Sequence, residues 1–355
     1  LMRSSAASDV YKRQVLYMCS SMTIKSLQGD IFWGRTMDYN TSFFHESPAG
    51  GVPGKIVSLP ANQTLPAQTA TWKTKYAAVG VGVDQSVALF DGVNSEGLAG
   101  DLQVLVECSW ASAESLAKRN LKPIKGEEFV TLALTTCKNV AEVRALASQY
   151  GLLDEPFQFG GQGVKIPLHY TFVDPSGAGL VIEPTDHGAF KLYDSVGAMT
   201  NSPEYGWHTT NLRNYVSLND RNYPEGADLG DQHLEPIELG TGYGMFGLPG
   251  DYTSPSRFVR AMFVSRNLDP FNSNEGIRVL YNAFKTVLIP QGLGRDPKHS
   301  ILTDYTQYWS GYDLSKRAIF VQDANTLTMT TKTLDPNLTE VTYDDLVKTE
   351  QFNQL

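Results

Sequence analysis

Cysteine is scarce in this chain: three residues in 355, at positions 19, 108 and 137. Three cysteines cannot build a disulfide framework, and their spacing fits no zinc pattern, so a reduced, cytoplasmic setting is the default expectation. Histidine is sparse too, with six scattered residues and no His-x-x-x-His pair, so neither a metal nor another cofactor is expected. No apolar run approaches the ~20 residues that cross a bilayer as a helix, and no membrane span is expected. Basic charge is also short: 29 Lys and Arg stand against 38 Asp and Glu, for a net charge of −9. With no basic stripe to replace phosphate counterions, nucleic acid is not an expected partner. The Gly-x-Ser-x-Gly elbow of the serine α/β-hydrolases is missing. Nothing repetitive or of low complexity points to a structural protein.

What is present suffices for a large core, with 41% hydrophobic and 19% charged residues. Residues 1–17 are polar and small and have no period of either kind. Their one apolar run, Val15-Leu16-Tyr17-Met18, is far shorter than the ~7–15 residues of a signal-peptide core. Residues 1–18 are therefore expected to be a non-native or removed leader, with Met18 as the true start. Loss of the initiator Met would then expose Cys19; self-cleavage of a pro-segment is the other route. An N-terminal Cys19 would carry two functions in one residue. Its thiol can attack a carbonyl, and its free α-amine, titrating near ~7.7–8.0, can take up the proton. Read alone, Cys19 also fits an ordinary buried cysteine.

Strand and helix signals follow in blocks. Ser20 to about Asn40 reads as two short strands joined by a Gly29-Asp30 turn, which would return Arg35 and Asp38 to the side of Cys19. Residues 41–76 read as long loops. Ala77–Val83, Ser86–Phe90 and Leu98–Val106 read as strands, with Asp91 to Gly97 as turn chemistry that includes Asn94. Glu127–Thr136 reads as a helix, and Asn139 with Glu142 marks the start of another. Strands are expected at Leu168–Val173, Leu180–Glu183 and Ala189–Tyr193. Helices follow at Asn211–Leu218, Ser256–Asn267 and through Ile277, Leu280, Phe284 and Leu288, ending at Pro290. Tyr305–Tyr308, Arg317–Gln322 and Thr326–Thr331 return to strands. The order implies two sheets covered by helices, an α+β fold, in one domain from 19 to 333. Residues 334–355 read as an acidic surface tail. Trp207, His208 and Tyr215 read as packing, and Cys108 and Cys137 as core.

Several longer strings carry more information. They are Gly34-Arg35-Thr36-Met37-Asp38, Gly97-Leu98-Ala99-Gly100-Asp101-Leu102, Met199-Thr200-Asn201-Ser202-Pro203, and Gly247-Leu248-Pro249-Gly250-Asp251-Tyr252-Thr253-Ser254-Pro255-Ser256-Arg257. With Met18-Cys19, and in this order, they resemble the choloylglycine hydrolase family of bile salt hydrolases and penicillin V acylases. The resemblance implies a four-layer αββα N-terminal nucleophile (Ntn) hydrolase sandwich of two mainly antiparallel sheets. It implies Cys19 as nucleophile, Asp38 as the carboxylate near its amine, and Arg35 beside the thiol, where a cation favours thiolate. Asn201 and a backbone N–H near Val104 would hold the oxyanion, and Arg257 rather than Arg260 would face the site. The implied partner is a small acyl amide with a bulky apolar acyl group bound by loops near 39–60 and 98–110. Acyl homoserine lactones are a further option, because relatives carry Asn or Tyr where this chain has Val104. A member that keeps its leader would instead be a silent binding protein. The stretch Tyr215–Tyr243 matches an insertion used for subunit contacts, which implies a homotetramer.

Overall fold

Alternation along the strand Met18–Lys25 (β1) sends Cys19 to one face and Met22 and Ile24 to the other, as strand geometry requires. Both faces are nevertheless buried. The neighbouring strand Ile31–Tyr39 (β2) is buried along its whole length, the mark of a sheet covered on both sides. The two pair antiparallel around a turn at Gly29, whose φ of +93° suits glycine. In the computed structural model, which describes residues 18–45, 51–69, 71–159, 162–295, 303–350 and 352, these strands form the centre of a seven-stranded sheet. Of the expected leader only Met18 is described, and it opens β1.

The sheet runs Ala198–Met199, β1, β2, Thr303–Asp313, Ala318–Asp323 and Met329–Thr333, with Gly294–Arg295 paired to the fourth of these. Opposite lies a ten-stranded sheet. Its order is Thr342–Asp344, Gly54–Leu59 (β3), Ala78–Val83 (β4), Leu89–Asn94 (β5), Ala99–Val104 (β6), Leu168–Val173, Gly179–Asp186, Ala189–Asp194, Tyr150–Leu152 and Lys122–Ile124. Pairing is antiparallel except between the last two. An apolar layer containing Trp33, Ile56, Val79, Val93 and Tyr312 lies between the sheets. Helices Phe129–Thr136 and Val140–Ala147 cover the outer face of the larger sheet, and Ser254–Arg266 with Gly276–Phe284 cover the smaller one. The fold is the αββα sandwich of the Ntn hydrolases.

Several elements differ from expectation. The fifth strand is Leu89–Asn94 rather than Ser86–Phe90, so Asp91 and Asn94 belong to a strand and only Ser95 to Gly97 turn. Residues 54–59, expected as loop, form β3 because their Ile56, Val57 and Leu59 are buried against the sheet neighbours. The helix expected at Asn211–Leu218 starts earlier, at Tyr205, and ends in one 3-10 turn at Leu212–Tyr215. The stretch expected as a bare tail adds Thr342–Asp344 to the edge of the larger sheet, with Leu334 and Leu346 buried in the inter-sheet layer. Apolar residues spaced for burial win there over the acidic composition. Asn139 does cap its helix, accepting the Glu142 N–H at 3.0 Å.

Candidate active site

The β1–β2 register places Cys19 opposite Met37, and Met18 opposite Asp38. Cys19 and Arg35 both face the gap between the sheets, where Arg35 reaches across to β5 and β6. Its Nη2 donates to Cys19 Sγ at 2.9 Å, and its Nη1 lies 3.4 Å from Asp91 Oδ2 and its Nε 3.6 Å from Asp101 Oδ2. Arg35, Asp91 and Asp101 are fully buried. A buried guanidinium of this kind needs paired carboxylates. Asp91 is anchored in turn by Tyr308 Oη at 2.7 Å, Ser310 Oγ at 2.9 Å and the Tyr312 hydroxyl. Burial pushes the Cys19 thiol up to about 11. Arg35 and the backbone N–H of Asp38 pull it down, but burial outweighs them. Arg35 thus acts in the expected direction, favouring thiolate, but does not by itself offset the burial.

Asp38 lies on the other face of β2, towards the helix layer. Thr306 Oγ1 donates to its Oδ1 at 2.6 Å and Thr36 Oγ1 to its Oδ2 at 3.1 Å, while Arg257 Nη1 stands 3.9 Å away. Burial raises its carboxyl to about 6 against these partners. Arg257 enters from the helix Ser254–Arg266. Its Nη1 donates to Cys19 O at 2.5 Å and Ser20 Oγ at 2.6 Å, its Nη2 to Asn201 Oδ1 at 2.9 Å, and its Nε to Tyr252 O at 3.0 Å. Arg260, one turn on, instead ties the carbonyls of Pro249, Asp251 and Thr286. Only Arg257 faces Cys19.

Asn201 is held at both ends of its side-chain amide. Its Oδ1 accepts from the Cys19 backbone nitrogen at 2.7 Å as well as from Arg257, and its Nδ2 donates to Val104 O at 2.9 Å. Two donors at one end and a carbonyl at the other fix the orientation of the amide. Beside it, the Leu105 N–H donates to Pro167 O at 2.9 Å, so strand alternation turns the Val104 N–H to the opposite side of its strand.

His208, read from sequence as packing, is a buried neighbour of the site. Its Nε2 donates to Asn201 O at 2.8 Å and its ring stacks on Phe258 at 4.6 Å. Trp207 is half-exposed and meets the ring of His208 edge-on. Tyr215 lies in the 3-10 turn beyond the helix. Asn94 secures its turn, accepting from Glu96 N and Leu98 N and donating to Leu134 O and Cys137 O. Cys108 and Cys137 are buried, with thiols raised to about 12 and about 11 by burial. Asp91, Asp101, Thr36 and Thr306 were not foreseen. Thr36 and Asp101 lie in the family-like strings, and the strand pairing of Asp101 with Asp91 is the signal that links the two acids.

Cys19 opens onto a cleft of about 810 Å³ including its mouth, walled mainly by apolar side chains such as Met37, Phe43, Phe90, Phe159 and Leu168. Among the described residues no group of three metal-ligating side chains converges. Among the described residues no helix is long and apolar enough to cross a membrane.

A family model for linear amide C–N hydrolases of the choloylglycine hydrolase family matches residues 19–343. The chain belongs to this family. As a choloylglycine hydrolase family member it is a linear amide C–N hydrolase. It is 29% identical over 335 residues to a bile salt hydrolase/transferase of Clostridium perfringens, covering 90% of this chain and 95% of that one. A conjugated bile acid hydrolase of Lactobacillus gasseri is 27% identical, with 90% and 96% covered. Among solved structures, a variant of the conjugated bile acid hydrolase from Clostridium perfringens superposes with a TM-score of 0.81 at 25% identity, covering 95% of this chain and 99% of that one. A penicillin V acylase from Agrobacterium tumefaciens shares the fold, with a TM-score of 0.68 at 19% identity over 93% of this chain and 92% of that one.

Proposed function

We propose that Cys19, freed of Met18, is the nucleophile of amide hydrolysis and that its own α-amine is the base. One arrangement carries this reading: Sγ sits 2.9 Å from Arg35 Nη2 and the Cys19 nitrogen 2.7 Å from Asn201 Oδ1, at the wall of an apolar cleft. A thiol held up to about 11 by burial needs a base at the moment of attack. An α-amine near ~7.7–8.0 is suited to that at neutral pH. Sγ bonds to the acyl carbon while the thiol proton passes to the amine. The oxyanion is met by the Val104 N–H and by the Asn201 Nδ2 hydrogen not used on Val104 O. The ammonium then protonates the leaving nitrogen as the C–N bond breaks, leaving an acyl-thioester. Water, losing a proton to the same amine, attacks the thioester and releases the acid and the thiol.

Asn201 Oδ1 positions the amine, Arg257 pins the Cys19 carbonyl, and ionised Asp38 balances the charge that grows on the ammonium. The acyl group is bulky and apolar, as the cleft wall requires. Conjugated bile acids are the first candidates, given the named relatives, with penicillin V second. The exposed segment after Tyr215 suits a further role, the assembly of a homotetramer. The test is a panel of conjugated bile acids, penicillin V and acyl homoserine lactones on protein that begins at Cys19. Turnover of one class, lost by at least ~10³-fold in Cys19→Ser with the melting temperature nearly unchanged, supports the reading. Undiminished turnover in Cys19→Ser contradicts it.

A further inference from the structure

The acyl cleft contains a carboxyl that the proposed chemistry leaves unused. Glu127 lies in the 3-10 turn Gly126–Glu128 and is 94% buried, yet it lines the cleft together with Val104, Phe157, Ile166 and Leu168. Its hydrogen bonds come from backbone only: the Ile166 N–H at a long 3.4 Å, and its own N–H. Among the described residues no cation lies within ion-pair distance of it. Its neighbour Glu128 shows what a purely structural acid does here, taking the N–H groups of Gln68 and Thr69 and the Thr69 hydroxyl. Gln103, also in the cleft wall, gives its Nε2 to Asp101 at 2.8 Å, while its Oε1 has no hydrogen-bond partner among the described residues and can only accept. Glu127 therefore keeps hydrogen-bonding capacity at a mainly apolar wall. A plain hydrocarbon acyl group would cover that carboxyl and give nothing back.

We propose that Glu127 is a specificity-determining residue that reads a hydroxyl on the acyl group of the substrate. This rests on the reading of Cys19 as nucleophile and of this cleft as the acyl site. A hydroxyl both donates and accepts, so it pairs with the carboxyl in either protonation state. Burial raises that carboxyl to about 7, which places both states within reach near neutrality. Covering a polar group without a partner typically lowers affinity about ten- to a hundredfold.

The probes are glycine conjugates of cholanic acid carrying no hydroxyl or a single ring hydroxyl. They are compared by kcat/KM in wild type, Glu127→Gln and Glu127→Leu, and by binding to the Cys19→Ser protein. Wild type should prefer one hydroxylated conjugate by about tenfold or more. Glu127→Gln should keep part of that preference, and Glu127→Leu should abolish or invert it. Binding to Cys19→Ser should show the same preference without turnover. If Glu127→Leu and Glu127→Gln both hydrolyse through Cys19 with the wild-type ratio, Glu127 is structural and the inference fails while the mechanism stands. If Cys19→Ser turns over as wild type does, the mechanism itself has failed.

Discussion

At the scale of single residues, the arrangement around Asn201 determines what Cys19 can do. Asn201 accepts from the Cys19 nitrogen, the proposed base, and its backbone carbonyl is held by His208 Nε2 at 2.8 Å. Burial lowers His208 to about 4, against the usual 6.5. Unfolded His208 thus binds a proton between pH ~6.5 and ~4 while folded His208 does not. Its contribution to stability is full above pH ~6.5 and is lost as pH falls towards 4. A His208→Gln variant keeps an N–H for Asn201 but no longer titrates. Its melting temperature should fall less steeply than that of wild type over this window, as differential scanning at several pH values would show. Parallel curves would remove His208 from the account.

At the scale of elements, the β1–β2 hairpin was legible because its polar string ends in a buried strand register. The site depends on that register. A Cβ on Gly34 would stand 2.7 Å from Ser310 O and 3.2 Å from the side chains of Leu280 and Phe284. Gly34→Ala should therefore lose ~1–3 kcal/mol from overpacking, with activity falling as β2 shifts; urea unfolding and kcat measure the two. Arg35, Asp38, Asn201 and Arg257 were legible because they sit in long strings of mixed polar and small residues, and Cys19 because it follows Met18 directly ahead of them. Asp91 was not, because Asp-Gly reads locally as a turn. Its place in a strand depends on three hydroxyls from a strand more than two hundred residues away. The orientation of Asn201 was hidden for a similar reason, since it is set by Arg257, Val104 and Cys19 together. Strand β3 is not legible because it is only six residues long and lies among loop-forming residues.

At the scale of the molecule, two sheets bury Cys19 while a second feature stays open to solvent. The hairpin Ala227–Leu229 with Gln232–Leu234 and the turns after it expose Leu229, Leu234, Ile237, Leu239 and Phe246. Several large apolar side chains are thus exposed within one segment. Replacing Ile237, Leu239 and Phe246 with Ser should convert the proposed tetramer to smaller species in light scattering, with the fold retained. An unchanged mass would move the assembly surface elsewhere. The central claim, however, concerns one nitrogen. In β1 the Cys19 nitrogen follows Met18 and donates to Asn201 as an amide, and an amide cannot act as a base. The direct test is to prepare two proteins, one beginning at Cys19 and one retaining Met18, each verified by intact mass, and to measure hydrolysis of the same conjugated bile acid. The account predicts turnover by the first and none by the second; equal turnover by both would contradict it.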